Sequence, residues 1–399
     1  MTDRLYLDDS YLLEFESKVI SVTREGEKFD VILEATAFYP EAGGQVSDSG
    51  DLDSHGVIEV LENEPGDIVH RLESWTAEPG QTVAGRVDRA RRLENMRRHT
   101  GQHILSQAFM KVAEARTLSS HLGLDAATIE IPPDGIDDTK IESSERLANE
   151  IVMADLPIEI GYYSRAELEQ LPVRRFTARE GQYRIIRIGD YDYTACGGTH
   201  CGRTGEVGAI KIIGSENIRG HIRLSFLTGE QAIEDYRQKD GVVREVAAKL
   251  SCHFSDLPDR FERMEEQNKI LRQEITRLRR ELLPAEIETA AAAAVEAGGI
   301  KIIGGTFPKR DDRELKELAS GIVEKYRAVV VLGGDDRLFI AVSPGLKFEA
   351  SGLTGEYMRR YEGRGGGSPT LAQVGRLNPE KIKDDIEDFM KWLKGELGA

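Results

Sequence analysis

Two short runs carry residue types that hold a metal ion. His99-Thr100-Gly101-Gln102-His103 sets two imidazoles four residues apart, hence on one face of a helix, which is the spacing of a bidentate clamp. Cys196-Gly197-Gly198-Thr199-His200-Cys201 sets a thiol and an imidazole four residues apart, and its two glycines let the backbone bend until both face one centre. Together they supply three nitrogens and one sulfur, a set suited to tetrahedral zinc. Either run alone reads equally well as surface or packing residues. Their joint occurrence in a chain with only 8 His and 3 Cys makes the metal reading the stronger one. Cys201 competes with Cys196, but its adjacency to His200 strains joint coordination, so Cys196 is the expected ligand. Four protein ligands close a tetrahedron, as in structural sites, so the donor set leaves open whether the ion takes part in chemistry. A zinc that gains or loses a ligand still polarises an ester or activates water.

A third run, Thr36 to Gly50, reads as a turn. Gly43-Gly44 admit close backbone approach to a ligand, and the Gln45 amide and Thr36 hydroxyl are neutral hydrogen-bonding groups. In isolation such a run is more often a plain glycine-rich β-turn. Arg86, Arg89, Arg91, Arg92, Arg97 and Arg98 crowd the approach to the first histidine pair, offset only by Asp88 and Glu94. That local excess in an acidic chain suggests a grip on phosphates, with Arg97 and Arg98 nearest the site, although charged helix faces are more often simply solvated.

The elements that must position these groups follow from periodicity. From Tyr6 to Pro79, alternating stretches broken by Gly and Pro predict strands and turns, a β-rich lobe over 1–85. Leu93, Met96, Ile104, Leu105, Phe109 and Val112 then recur at helical spacing, with Asp88 able to begin one or two helices between Val87 and Arg116. A further helix from Ser143 to Ala154 and strands near 184–188 and 208–213 complete an α+β zinc-containing domain over 86–229. Val243, Leu250, Leu257, Met264, Leu271 and Leu278 repeat every seven residues, with Phe254, Phe261 and Ile275 as companions, over a coiled-coil-like linker at 230–297. Pro258 after Ser255-Asp256 marks a helix start, so two helices are expected, as a hairpin or jointed coil. Asn268 stands at an otherwise apolar heptad position, where a polar residue sets register and partner number. Apolar runs around Ile302, Val329 to Leu332 and Leu338 to Val342, with helices at 311–326, 349–361 and 379–395, predict a small α/β domain over 298–399. Within it, 363–369 is expected to be a loop.

The chain has 399 residues and a net charge of −17, with 40% hydrophobic and 31% charged residues, which excludes disordered, collagen-like and disulfide-scaffold classes. Cys196, Cys201 and Cys252 are too few for a disulfide framework, and no apolar run reaches membrane-spanning length. The expected compartment is therefore the cytoplasm, and any nucleic acid must be met at local patches.

In their order, Thr36…Gly43-Gly44-Gln45, His99-x-x-x-His103 and Cys196-Gly197-Gly198-Thr199-His200 resemble the editing domain of alanyl-tRNA synthetases and the free-standing AlaX editing proteins. The resemblance spans about Tyr6 to Leu227. The threonyl editing domain shares the two-part zinc pattern, but the Gly-Gly-Gln run and the Cys-Gly-Gly-Thr-His wording favour the alanyl group. The resemblance implies zinc held by His99, His103, Cys196 and His200, with Thr36 sensing the hydroxyl of a mischarged serine and Gln45 in the pocket. The implied reaction is hydrolysis of Ser-tRNA(Ala), and of Gly-tRNA(Ala), with no general base assigned. It starts almost at Met1, implying editing without charging. Gly363-Arg364-Gly365-Gly366-Gly367-Ser368-Pro369 with Ala372-Gln373-Val374-Gly375 resembles the DHH-associated domain of the same synthetases, which makes the chain similar to the long form, AlaX-L. That implies RNA contact through Arg359, Arg360, Arg364, Gly365, Gly366, Gly367 and Arg376, with the loop amides as an anion nest. No Walker lysine follows the glycines, so nucleotide hydrolysis is not indicated. A homodimer through the helical stretch or the last domain is expected. The rival readings are a non-catalytic zinc-containing tRNA-binding protein and a zinc hydrolase of another aminoacyl ester.

Overall fold

The computed structural model describes residues 1–174 and 181–398. These form two compact units, Met1–Lys249 and Leu250–Ala399. The boundaries read from sequence at 85 and 229 fall inside the first unit and that at 297 inside the second.

Alternation builds the first part of the first unit. Strands Glu14–Glu25, Lys28–Leu33, Gly50–Leu52, His55–Glu62, Ile68–Leu72 and Thr82–Val87 close into an antiparallel barrel. Their inward side chains, among them Val19, Val31, Leu33, Leu52, Val60, Ile68, Leu72 and Val83, fill the barrel core. Asp53 and Ser54, both at positive φ, form the two-residue turn that twists with its strands, joining Leu52 to His55.

A single 25-residue helix, Arg89–Ala113, follows the barrel. Asp88 caps it, its carboxylate accepting from the amides of Ala90 and Arg91. The helix carries both clamp histidines and packs against strand His221–Thr228. Gly101, between the histidines, sits where an added methyl would come within 2.7 Å of Thr228 Cγ2, so only glycine lets the helix close on that strand. Helix Asp138–Met153 begins five residues earlier than the periodicity placed it, because Asp137 caps the Lys140 amide. Around these helices lie a four-stranded sheet (Ile210–Ile218, His221–Thr228, Ala127–Ile131, Ser119–Leu122) and a three-stranded one (Ile158–Tyr163, Tyr183–Ile188, Asp192–Ala195). Helix Gly229–Lys249 ends the unit.

The second unit begins with helix Leu257–Ala292, so the heptad region forms two separate helices, with Pro258 in the first turn of the second. A six-stranded sheet then runs in the order Val295–Ala297, Ile300–Thr306, Ala328–Gly333, Arg337–Val342, Leu371–Gly375, Arg364–Gly367. Helix Asp312–Lys325 makes its one parallel crossover, and helices Ala350–Arg360 and Ile382–Gly398 cover it. Val329 and Val331 face one core while Val330 and Leu332 face the other, so the continuous apolar run is a strand buried on both sides.

The glycine segment is the principal departure from expectation in this unit. Residues 364–367 are an edge strand, with Gly365 opposite Val374 and Gly367 opposite Ala372, so the expected loop nest is absent. Added methyls at Gly365 and Gly367 would come within 1.9 Å of the Gln373 carbonyl and 2.4 Å of Ala372 Cα. Those glycines serve close strand approach.

Candidate metal centre

His99 and His103 project from one face of the long helix, and Cys196 and His200 from the turn after strand Asp192–Ala195. One ligand atom from each of the four lies within 4.8 Å of all the others. The Cys196 Sγ is 3.2 Å from His99 Nε2 and 3.3 Å from His200 Nε2. Cys201 is outside the group, buried, its thiol pushed up to about 12 by burial, and its amide donates to Thr100 Oγ1 at 3.1 Å.

The turn is built to bring its ends together. An added methyl on Gly198 would meet the His99 ring at 2.1 Å, and the Gly198 amide donates to Cys196 Sγ at 3.4 Å. Arg184 fastens the turn from beneath, donating to the carbonyls of Cys196 at 2.6 Å, Gly198 at 3.1 Å and Leu7 at 2.9 Å.

Each imidazole has a polar neighbour at its far nitrogen. Gln45 donates through Nε2 to Thr199 Oγ1 at 2.9 Å, which turns its Oε1 toward His99 Nδ1 at 2.7 Å and leaves His99 Nε2 facing the thiol. Thr100 Oγ1 lies 3.2 Å from His200 Nδ1. The buried Asp192 carboxylate, held by Thr194 at 2.8 Å and Arg174 at 3.2 Å, stands 3.9 Å from His103 Nδ1. Burial and then the Arg184 charge lower His99 to about 3, and burial first, then neighbouring positive groups, holds His103 and His200 well below the usual imidazole range. Burial raises the Cys196 thiol, with the Gly198 amide and Arg184 opposing.

These groups fit a metal ion. One thiol proton cannot satisfy the two imidazole nitrogens that face Cys196 Sγ, so the inward-facing atoms of the cluster include lone pairs lacking an acceptor of electrons. The group can therefore hold a metal ion.

The other expected residues are distributed differently. Gln45 belongs to the centre through His99 and Thr199, whereas Gly44 approaches chain and not ligand: an added methyl there would lie 2.6 Å from the Ser120 carbonyl. Thr36 is fully buried, its hydroxyl 2.8 Å from His70 Nε2 and accepting from the Phe38 amide at 3.1 Å. Since His70 Nδ1 faces the Val31 carbonyl at 3.1 Å, Nδ1 carries the proton and Thr36 donates to Nε2. Burial lowers His70 to about 4, which keeps this arrangement neutral.

The arginine run is mostly framework. Arg92 is wholly buried and binds Asp48 at 2.5 Å, with Ser10 and Ala37 carbonyls completing its shell. Arg98, expected to contact RNA, is buried as well, and its donors go to Glu94 and Asn95 of its own helix and to Gln231 of helix Gly229–Lys249. Arg97 is half-buried and donates to the Glu206 carbonyl at 3.1 Å. In the second unit, Arg359 and Arg360 share the Glu356 carboxylate at 2.6 and 2.8 Å, while Arg364 and Arg376 are exposed.

Sequence reasoning missed Thr100, Asp192, Arg184 and His70. Only His70 left a local signal, a histidine at an inward position of the alternating strand Ile68–Leu72.

Residues 183–224 match the family described as the threonyl and alanyl tRNA synthetase second additional domain, which includes Cys196 and His200. Residues 10–91 match class II (A) tRNA synthetases. The chain is 35% identical to the alanine–tRNA ligase of Archaeoglobus fulgidus, over 99% of this chain and 44% of that protein. The chain carries an AlaX-like editing domain related to alanyl-tRNA synthetase. The alanine–tRNA ligase of Methanopyrus kandleri is 32% identical over 96% of this chain and 44% of that one. The chain thus spans a little under half the length of these synthetases. Among solved structures, the C-Ala domain of the Aquifex aeolicus alanyl-tRNA synthetase is 26% identical, covers 27% of this chain and 98% of that one, and has a TM-score of 0.24. Among the described residues, no helix is long and apolar enough to cross a membrane.

Proposed function

We propose that the chain is a trans-editing hydrolase that removes serine, and glycine, from tRNA(Ala), and that its metal is zinc. The observation that carries this reading is the three-histidine, one-cysteine cluster inside a domain related to alanyl-tRNA synthetase. His99, His103, Cys196 and His200 would hold the ion, and a bound zinc supplies Lewis acidity toward an ester carbonyl or water. Gln45 and Thr100 orient the rings so that Nε2 of His99 and of His200 faces inward, and Arg184 holds the Cys196 turn. Cys196 is half-buried and Gly197 exposed, whereas the three histidines are buried, so the aminoacyl end enters beside Cys196-Gly197.

Selectivity for serine falls to Thr36 in this proposal. Its proton is committed to His70 and one lone pair to Phe38, which leaves one lone pair to accept from a seryl hydroxyl. Alanine offers no such donor. In the second unit, Arg359, Arg360, Arg364 and Arg376, with the edge strand Arg364–Gly367, form the proposed RNA-contacting face, and the setting is the cytoplasm.

Deacylation of Ser-tRNA(Ala), Gly-tRNA(Ala), Ala-tRNA(Ala) and Ser-tRNA(Ser) by zinc-loaded protein tests the reading. Rapid loss of serine from tRNA(Ala), with Ala-tRNA(Ala) spared, is the expected result. Equal hydrolysis of all four favours a general aminoacyl esterase, and binding without hydrolysis favours a tRNA-binding protein.

A further inference from the structure

One face of the three-stranded sheet carries groups of the metal centre. Asp192 and Thr194, two apart on strand Asp192–Ala195, and Cys196 just beyond its end share that face, with Asp192 beside His103 and Cys196 in the cluster. The register carries the row of Cys196 across the sheet. Ile185 pairs with Ala195, and the Cys196 amide donates to the Arg184 carbonyl at 3.2 Å, so Arg184 stands next to Cys196 on the middle strand. Tyr162 stands directly opposite Arg184 on the outer strand, Ile158–Tyr163. Tyr162 therefore lies two strand spacings, roughly 10 Å, from Cys196 and on the same side of the sheet. Arg184 is buried, with its guanidinium on the Cys196 and Gly198 carbonyls, whereas Tyr162 is 45% exposed. The Tyr162 ring is held at its tip, the hydroxyl donating to Asp8 Oδ1 at 2.7 Å.

We infer that the Tyr162 ring is the platform on which the terminal nucleobase of the aminoacylated tRNA stacks while its ester lies at the Cys196 turn. The subsite rests on the proposed deacylation and extends it from the ester to the nucleoside. An ester on the terminal ribose leaves the base on the far side of the sugar, so a partner for the base must stand about a nucleoside's length from the cluster. The sheet puts Tyr162 there. A ring already anchored through Asp8 presents a flat apolar face to an unpaired base without having to be ordered on binding. Stacking of this kind reads no base edge, which suits a 3′ end that carries no identity. The competing role for Tyr162 is a brace between the sheet and the segment that carries Asp8. The two roles part at the hydroxyl, because a brace needs it and a platform needs only the ring.

The probe is 3′-deoxy-3′-(L-serylamino)adenosine, whose amide resists hydrolysis, titrated onto zinc-loaded full chain beside the same serylamide on a ribose without a base. The wild type is expected to bind the nucleoside about tenfold tighter than the base-free ribose. Tyr162→Phe should keep that preference and Tyr162→Leu should lose it, with the unfolding transition of each variant showing that it is folded. In deacylation of Ser-tRNA(Ala), Tyr162→Leu should raise KM about tenfold and leave kcat within about twofold. Equal affinity of the wild type for the two probes overturns the platform without recourse to any variant. Loss of the preference in Tyr162→Phe, or its survival in Tyr162→Leu, also overturns it, and leaves the proposed hydrolysis standing where the wild type deacylates Ser-tRNA(Ala). A wild type that neither deacylates Ser-tRNA(Ala) nor binds the seryl nucleoside removes both.

Discussion

At the scale of single residues, the site and its surroundings depend on where individual protons are held. His70 is buried between Thr36, the Val31 carbonyl and the Phe38 ring, with no charged group in that shell. Its pKa lies at about 4 when folded against 6.5 when unfolded, so the unfolded chain takes up the proton first as pH falls. The neutral form therefore contributes its full stability above pH 6.5, and about 3 kcal/mol is lost as pH drops toward 4. Urea unfolding at pH 7.5 and 5.0 should show a smaller pH effect for His70→Gln than for the wild type, and equal effects would contradict the assignment. Thr36→Val is expected to leave metal content intact while lowering the preference for seryl over alanyl ester by tenfold or more, read from the two deacylation rates. Gln45→Leu removes the acceptor at His99 Nδ1 and should weaken metal affinity about 10- to 100-fold in a chelator competition. The four residues that the fold groups were legible as candidates because their spacing is local. Asp192 and Arg184 were not, since each acts through the fold and neither stands in a recognisable run, and Thr100, although inside the His99–His103 run, meets His200 only through the fold.

At the scale of elements, the site depends on how the long helix meets the barrel segment that carries Gln45. Arg92 and Asp48 make that joint, both fully buried, with the Tyr39 amide also donating to the Asp48 carboxylate at 2.8 Å. Asp48→Ala leaves an unpaired buried guanidinium and should cost about 3–5 kcal/mol in denaturant unfolding. A loss under 1 kcal/mol would show that the joint is not structural. Periodicity read this helix well and its cap correctly, because both signals lie within a few residues. The burial of Arg92 and Arg98 was not legible, because an exposed and a buried guanidinium on a helix have the same sequence. The glycines at 363–367 were misread for a related reason. A glycine run signals close approach or unusual φ, and only the neighbouring strand reveals that the approach is to Gln373 and Ala372.

At the scale of the whole molecule, the chain divides once, between Lys249 and Leu250, and the metal cluster lies wholly in the first unit. Removal of residues 250–399 is accordingly expected to weaken tRNA binding far more than it slows hydrolysis of bound substrate. Single-turnover deacylation alongside a binding titration separates the two effects, and unchanged affinity would remove the second unit from recognition. The mixed α and β class and most elements could be read from alternation and heptads. The barrel closure could not, since it is made by pairings such as Glu14 to Arg86 that no local pattern announces. The central claim is that the four-residue cluster holds the metal on which ester hydrolysis depends. Its most direct test is zinc stoichiometry measured together with Ser-tRNA(Ala) deacylation, for the wild type and for Cys196→Ala shown to be folded by its unfolding transition. One zinc per chain and rapid hydrolysis are expected in the wild type, both lost in the variant. Full hydrolysis by a zinc-free variant would contradict that claim.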